Sequence, residues 1–505
     1  MTILGSKLSM NFQPNQKTSD LVVVLTVLSA IFVTMKLILG WRRRPPGPWG
    51  LPVLGHLPFL GSRPLNKFKQ YQKEYGDVVF LRFGTWPTVI ISGKDTVKST
   101  LILDSFASRP PFFSIKSLSD MKGLSFSFFD ERYSLHRKIA SSVVREFGGS
   151  ENNALKDALR EESNILVSTF MANNGQPFNP SELLYVTTGS IIFQFCYGKG
   201  ENIRENPAFL KVMEDQAIFK EFFTAGNYFD VLPWLRYIMP GKFNRFLELI
   251  DHFQKARKEI GAPIMETFDP AHPRHAFDGF LNACLKYNIT DTPSEEGLTK
   301  TQLTETLLEL FGAGFETTAS TLRWALMYYA EYQDVQMRVQ KEIDEKIGRN
   351  KVISIKDRPI LPYTEATILE IMRIAPVVPM GLPHMTTTDV VVKGNLIEKG
   401  TVVFFNIMSL MHDDYWGNPY EFHPERFLDE DGCLIKEKVD SVLAFGAGRR
   451  ICLGKMMAQT EIFYLLATLL QNCKICKPKN VKYDFEGEYG LSYFPKEYEI
   501  CVQPR

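Results

Sequence analysis

The sequence is short of cysteine and shorter still of net charge. Its 505 residues hold seven cysteines, and 58 basic against 57 acidic side chains leave a formal charge of +1. An odd, sparse cysteine set does not make a disulfide framework and points to a reducing compartment for the main domain. Balanced charge argues against a nucleic-acid binder working by bulk electrostatics. No internal repeat, low-complexity block or Gly/Ser-rich linker divides the chain. No flavin or nicotinamide fingerprint is present. Gly446 and Gly448 come nearest, but Ile451 stands where a third glycine is needed. No second Cys or His lies near Cys452, which removes a structural zinc site.

What is present is apolar. Hydrophobic residues make up 45% of the chain and aromatics 12%, enough core for one very large domain or several ordinary ones. The run Leu21–Trp41 is apolar apart from Lys36 and a few small polar residues, and about 20 such residues span a bilayer. Arg42, Arg43 and Arg44 follow it, so the positive-inside tendency keeps them cytoplasmic and places residues 1–20 in the lumen. A cleaved signal peptide would carry its charges before the run. The reading is an uncleaved single-pass anchor over 21–41. Residues 42–55 follow as a basic, proline-rich connector that cannot continue a helix. The remaining 56–505 read as one domain.

Within that domain Asp77–Ser92 is β-branched and aromatic with a glycine in its middle, which predicts a hairpin. Asp389–Asn406 is a second strand-like set. Most of the rest reads as helix, giving a mainly α chain with a small β region, α+β by pattern. One helix, Leu298–Tyr332, has no proline and is apolar around much of its circumference, as a core helix is. Yet its middle holds Gly312, Gly314, Glu316, Thr317 and Thr318. Interior glycine costs about 1 kcal/mol and a buried acid costs more, so the pattern points to function unless it is a packing notch. Farther on, "EIMR" sets Glu370 and Arg373 one turn apart, "PERF" carries Arg426, and "FGAGRRICLG" surrounds Cys452 with glycines and arginines. Taken alone, that cysteine is a buried thiol or a metal ligand.

Together these segments resemble the cytochrome P450 family over essentially the whole chain. The resemblance rests on the proline-rich hinge, "AGFETT" at Ala313–Thr318, "EIMR", "PERF", and "FGAGRRICLG". The last matches the family's F-x-x-G-x-R-x-C-x-G at every fixed position. The branch resembled is the microsomal one that contains drug-metabolising enzymes and steroid 17-hydroxylase. The fold implied has a haem b between the long central helix and the cysteine loop, plus an N-terminal transmembrane helix. Cys452 is implied as the thiolate ligand of the haem iron. A helix starting after it would stabilise the thiolate, Gly448 would allow a tight turn, and Gly454 would allow close approach to the porphyrin. Phe445 would shield the sulfur. Arg450 would pair with a haem propionate, with His384, Arg137, Tyr133 and Arg109 as further cofactor contacts. Tyr133 stands where the family usually has tryptophan. Glu370, Arg373 and Arg426 would form a buried ion network that holds the cysteine loop.

Ala313 and Gly314 would face the iron, and Glu316 with Thr317 would deliver protons during oxygen activation. The activity implied is insertion of one atom of dioxygen into a lipophilic substrate: steroid, fatty acid or xenobiotic. The alternatives are an isomerase or dehydratase acting on an oxygenated lipid, and a membrane haem protein without catalysis. Electrons would come from NADPH through a cytochrome P450 reductase, with cytochrome b5 as an optional second donor. Arg132, His136, Arg137, Lys138, Arg145 and Lys455 would form the basic docking face. The implied location is the endoplasmic reticulum membrane, catalytic domain on the cytoplasmic face and membrane lipid as a partner. The aromatic stretch Ile218–Met239 either packs into the core or lines a substrate entrance at the membrane. Cys473 and Cys476 form a C-x-x-C without other ligands, the pattern of ordinary strand cysteines.

Overall fold

The computed structural model describes residues 44–149, 151–199, 203–207, 209–211, 213–214, 222, 227–292, 297–490 and 492–505. The expected anchor, Arg42 and Arg43 lie outside them. Among the described residues no helix is long and apolar enough to cross a membrane.

The architecture is mainly helical with small sheets. The elements used below are strands β1 (Val78–Phe83) and β2 (Trp86–Ile91), then helices α1 (Glu131–Gly148), α2 (Asn153–Ala172), α3 (Ser181–Tyr197), α4 (Lys300–Glu331) and α5 (Pro362–Ile374). Strands β3 (His384–Met385) and β4 (Val402–Phe405), helix α6 (Lys455–Asn472) and strands β5 (Cys473–Cys476) and β6 (Cys501–Pro504) complete the set. The expected hairpin forms, with Val78 opposite Ile91 and Phe83 opposite Trp86 across a turn at Gly84. The second strand-like set divides. Val390–Val392 pairs with Asn395–Ile397, and β4 joins β2 in parallel, giving a four-stranded sheet in the order β1-β2-β4-β3.

The proline-rich connector is strapped to the domain instead of standing free, and its end folds back in a tight turn, with Leu51 and Gly55 exchanging N–H to O bonds at 2.9 Å. Phe80 N–H donates to Pro46 O at 2.8 Å and His56 N–H to Arg82 O at 2.7 Å. A Cβ on Gly47 would stand 2.0 Å from Phe80 O, so only glycine allows this approach.

Helix α4 forms where the sequence places it. Thr299 caps it through the Gln302 N–H at 3.2 Å, and the Gln302 side chain accepts from the Thr299 N–H at 2.7 Å. This reciprocal pair satisfies two orphan donors at the helix start. From Phe315 to Ala330 nearly every residue is buried, including Trp324 and Arg323. Helices α3, α5 and α6 pack around it. Gly314 belongs to that packing: a Cβ there would lie 2.8 Å from Ile192 Cγ1 on α3. The missing side chain lets two helices cross closely, and Gly314 also lines the cavity described below.

Several histidines are sealed inside this fold. Burial pushes His136, His275 and His412 down to about 4. Each stays neutral when folded but takes up a proton near pH 6.5 when unfolded. Their stabilising contribution is therefore complete above about pH 6.5 and is lost as pH falls through about 4. Asp230 opposes this: burial raises its pKa to about 6, so its contribution is present below the ordinary carboxylate pKa and is lost as pH rises through about 6. His384, also pushed well down by burial, adds a fourth imidazole, while Glu309 and Glu461, raised by burial, join Asp230 in opposition. Each histidine at about 4 is worth about 3 kcal/mol at full titration. The unfolding temperature should fall progressively between pH 6.5 and 4.5. A flat profile across that interval would show that these imidazoles are not sealed.

Candidate functional site

Cys452 sits in a loop that its own backbone closes. Its N–H donates to Phe445 O at 2.8 Å. The turn runs through Gly446 and Gly448, both at positive φ (69° and 66°). A Cβ on Gly448 would stand 2.8 Å from Ile102 Cα, so the loop also needs glycine to lie against its neighbour. Helix α6 begins at Lys455, three residues past the cysteine. Burial pushes the thiol pKa up, while the N–H groups of Gly454 and Lys455 and the charges of Arg137 and Lys455 pull it down. The sulfur is enclosed by protein yet exposed to a cavity of about 430 Å³. Gly454 also lines it, with φ −85° and nothing within 4 Å of an added Cβ. No backbone constraint demands glycine there.

The middle of α4 forms another part of the cavity wall, where Gly312, Ala313, Gly314, Glu316 and Thr317 all line it. Thr317 Oγ1 donates back to Ala313 O at 2.7 Å, which leaves its lone pairs free to accept. Glu316 is buried beside it. The acid–alcohol pair and the thiol therefore share one cavity.

Its third side is cationic. Arg450 is largely buried and donates to Ala107 O, Leu124 O and Ser127 O at 2.7, 2.9 and 2.5 Å. Arg109 is buried and not a surface arginine, donating to Ser125 O, Leu382 O and Pro383 O at 3.0, 3.1 and 2.8 Å. Arg137 Nη2 donates to Ile451 O. Burial pulls Arg450 down to about 10 and Arg109 well below its ordinary value, each aggravated by a neighbouring guanidinium. Among the described residues none of the three makes an ion pair. Glu309 acts on Arg450 electrostatically, but burial pushes that carboxyl toward its neutral form, and cations hydrogen-bonded to neutral carbonyls still call for an anion. The two carboxylates of the implied haem supply that, its macrocycle suits the apolar walls, and its iron suits the lone thiol.

His384 is buried in the cavity wall, with Nδ1 2.6 Å from Phe106 O and its pKa pushed well down by burial. Tyr133 lies under Arg450, whose Cζ is 3.8 Å from the ring centroid. Its hydroxyl donates to Arg449 O at 2.7 Å, so the phenol fastens the cysteine loop. The expected docking face needs correction at two positions. His136 is buried and neutral, its Nε2 2.6 Å from Thr306 Oγ1, and Arg137 turns into the cavity. Arg132, Lys138 and Arg145 remain exposed, with Arg132 paired to Asp130 at 2.9 Å.

Glu370 and Arg373 are fully buried and bidentate at 2.6 and 2.9 Å, and Arg426 Nε reaches Glu370 at 3.0 Å. Arg373 also donates to Met411 O and Pro419 O at 2.7 and 2.8 Å, binding distant segments into one block. Sequence reasoning passed over two acids in the cavity wall. Glu309, seven residues before Glu316 and so on the same helical stripe, accepts from Ser125 N–H at 2.8 Å, and burial raises its pKa. Glu461 is buried on α6 as a lone acid in an apolar helix, raised well above the ordinary range.

Comparison with known proteins accords with this geometry. The family model described as Cytochrome P450 matches residues 45–502. Human cytochrome P450 1A1 is 34% identical over 463 residues, covering 89% of this chain and 90% of that protein. Cytochrome P450 1A2 of Canis lupus familiaris is 32% identical over 500 residues, covering 95% and 96%. Cytochrome P450 1A1 of Rattus norvegicus is 31% identical over 491 residues, covering 94% and 93%.

Proposed function

The chain belongs to the cytochrome P450 family, and from that premise we propose that it is a membrane-attached, reductase-dependent oxygenase of lipophilic molecules. Membership makes it a haem-thiolate monooxygenase. Bound haem supplies the activation of dioxygen, one atom entering the substrate and the other leaving as water.

The chain's own residues divide the remaining work. Cys452 ligates the iron, with the start of α6 and Lys455 favouring its charged form. Arg450, Arg109, Arg137 and His384 hold the propionates. Phe445 keeps water from the sulfur. Ala313 and Gly312 would leave room for dioxygen and substrate beside a bound haem, and Glu316 with Thr317 would pass protons inward without flooding the cavity. The observation that carries this reading is the one cavity that the thiol and the acid–alcohol pair both line. Exposed Lys138 and Arg145 on α1, with Lys455, suit an acidic flavin-bearing reductase. Turnover tests the reading: full-length protein in vesicles, given NADPH and reductase, should oxidise some member of a lipophile panel while consuming dioxygen. Rearrangement of an oxygenated lipid without dioxygen uptake would overturn it.

Membrane attachment at the endoplasmic reticulum rests on the apolar run Leu21–Trp41, with a second apolar surface on the domain. Trp49 and Val53 are exposed on the strap, as are Tyr237 and Ile238 near the end of the aromatic stretch. Both segments grip one hairpin turn, Gly84 N–H donating to Leu54 O at 3.3 Å and Thr85 N–H to Val231 O at 3.0 Å. Within the described part of that stretch the two expectations divide, since Phe222, Phe229 and Val231 are buried and Trp234, Tyr237 and Ile238 are not. Deleting residues 1–44 should weaken vesicle binding without loss of haem. Adding Tyr237→Asp and Ile238→Asp should remove most of what remains in a vesicle co-sedimentation assay. Unchanged binding of the combined variant would exclude this surface.

A further inference from the structure

All seven cysteines are free thiols, and two face each other. Strands β5 and β6 pair antiparallel with Cys476 directly opposite Cys501. Opposite residues in such a pair share one face of the sheet. Ile475 and Val502 are buried on the inner face, so Cys476 and Cys501 point outward beside exposed Lys474 and Gln503. The spacing follows from the ladder. Arg505 N–H donates to Asn472 O at 3.3 Å, and four steps along the register return the same bonded type at Cys501 and Cys476. Bonded pairs in antiparallel sheets stand about 5.5 Å apart at Cα, inside the range a disulfide bridges. Both cysteines are half-buried, and each lies close enough to Tyr483 to act on its hydroxyl electrostatically.

The chain between them gives the pair a consequence. Residues 477–500 run from the outer sheet to the cavity, which Ser492 lines, and back. Along the way Tyr493 O accepts from Trp324 Nε1 at 3.1 Å, and Tyr498 Oη donates to Arg323 O at 2.5 Å. A bond at the base of this loop would act on the wall that Ser492 forms. We propose that Cys476 and Cys501 are an oxidisable dithiol, a redox-modification site whose disulfide closes the loop 477–500. The oxidant is a peroxide. One cysteine sulfur attacks the O–O bond, an S–O bond forms, and water leaves, giving a sulfenic acid. The second sulfur attacks the first, the S–S bond forms, the S–O bond breaks, and a second water leaves. Two thiols are thereby oxidised by two electrons in total, and the peroxide is reduced to two waters. Half-burial raises both thiols above the ordinary value, so the pair stays reduced until peroxide persists.

The test treats the haem-loaded full-length protein with hydrogen peroxide without NADPH, then alkylates remaining thiols and maps peptides by mass spectrometry. A cross-link between the peptides holding Cys476 and Cys501, about 2 Da lighter than the dithiol and reversed by dithiothreitol, is expected. Cys501→Ser should abolish it while leaving the unfolding temperature of the reduced protein unchanged. Oxidised wild type should unfold a few degrees higher than oxidised Cys501→Ser. Recovery of both cysteines as separate alkylated or sulfinic species would overturn the proposal. So would a cross-link from either one to Cys433 or Cys473.

Discussion

Replacing Cys452 by histidine should leave a folded protein that retains some haem but has lost the red-shifted Soret band of its reduced carbon monoxide complex. That band reports thiolate ligation, and no other cysteine lines the cavity. The fold should survive because the loop is built from its backbone: the 452 N–H to Phe445 O bond and the positive-φ glycines are indifferent to the side chain at 452. What changes is the ligand's charge. The N–H groups of Gly454 and Lys455, with Arg137 and Lys455, are arranged to favour an anion, and a neutral imidazole makes poor use of them. Haem held by imidazole would not have the thiolate donation that favours dioxygen activation, and NADPH-dependent oxidation should collapse to the level of free haem. The measurement is the reduced-minus-oxidised spectrum under carbon monoxide, beside turnover with one substrate. An unchanged spectrum would exclude Cys452 as the ligand.

The parts legible in the sequence were those whose meaning is local. The cysteine loop, the capped helix α4 and the hairpin each rest on residues a few positions apart, and each forms where expected. Glu370 and Arg373 were legible as a one-turn pair, but their complete burial depends on carbonyls at Met411 and Pro419, which no spacing rule reaches. Gly314 lines the cavity as its spacing suggested, but its second role, close packing against Ile192, depends on α3 and no local pattern shows it. His136 counted as part of a basic face by composition, yet it turns inward to Thr306 on another helix and burial keeps it neutral. Glu309 was on the right stripe and was passed over because one acid in a helix usually faces water. The Cys476–Cys501 pairing lay beyond sequence reasoning, since only strand register brings those residues together.

Removing one hydroxyl from α4 should separate electron use from product formation. Thr317 lines the same cavity as Cys452, and its Oγ1 already donates to Ala313 O at 2.7 Å. With its proton committed there, the oxygen is an acceptor that can order a water chain between Glu316 and the cavity. Thr317→Ala deletes that acceptor and little else. Alanine is the better helix former, the lost hydroxyl leaves no buried donor stranded, and none of the cysteine loop's hydrogen bonds involves it. Haem content, thiolate spectrum and substrate-induced Soret shift should therefore match wild type. Proton delivery should not. Positioned proton transfer contributes about 10²- to 10⁴-fold, and a stray water can replace one hydroxyl in part, so a product-to-NADPH ratio lower by about 10-fold is expected. Hydrogen peroxide should rise to account for the missing product. Thr317→Ser, which keeps the oxygen, should recover most of the ratio, whereas a purely steric effect of the lost methyl would leave serine as poor as alanine. Equal ratios in wild type and Thr317→Ala would remove this residue from proton delivery and leave the task to Glu316 with water alone.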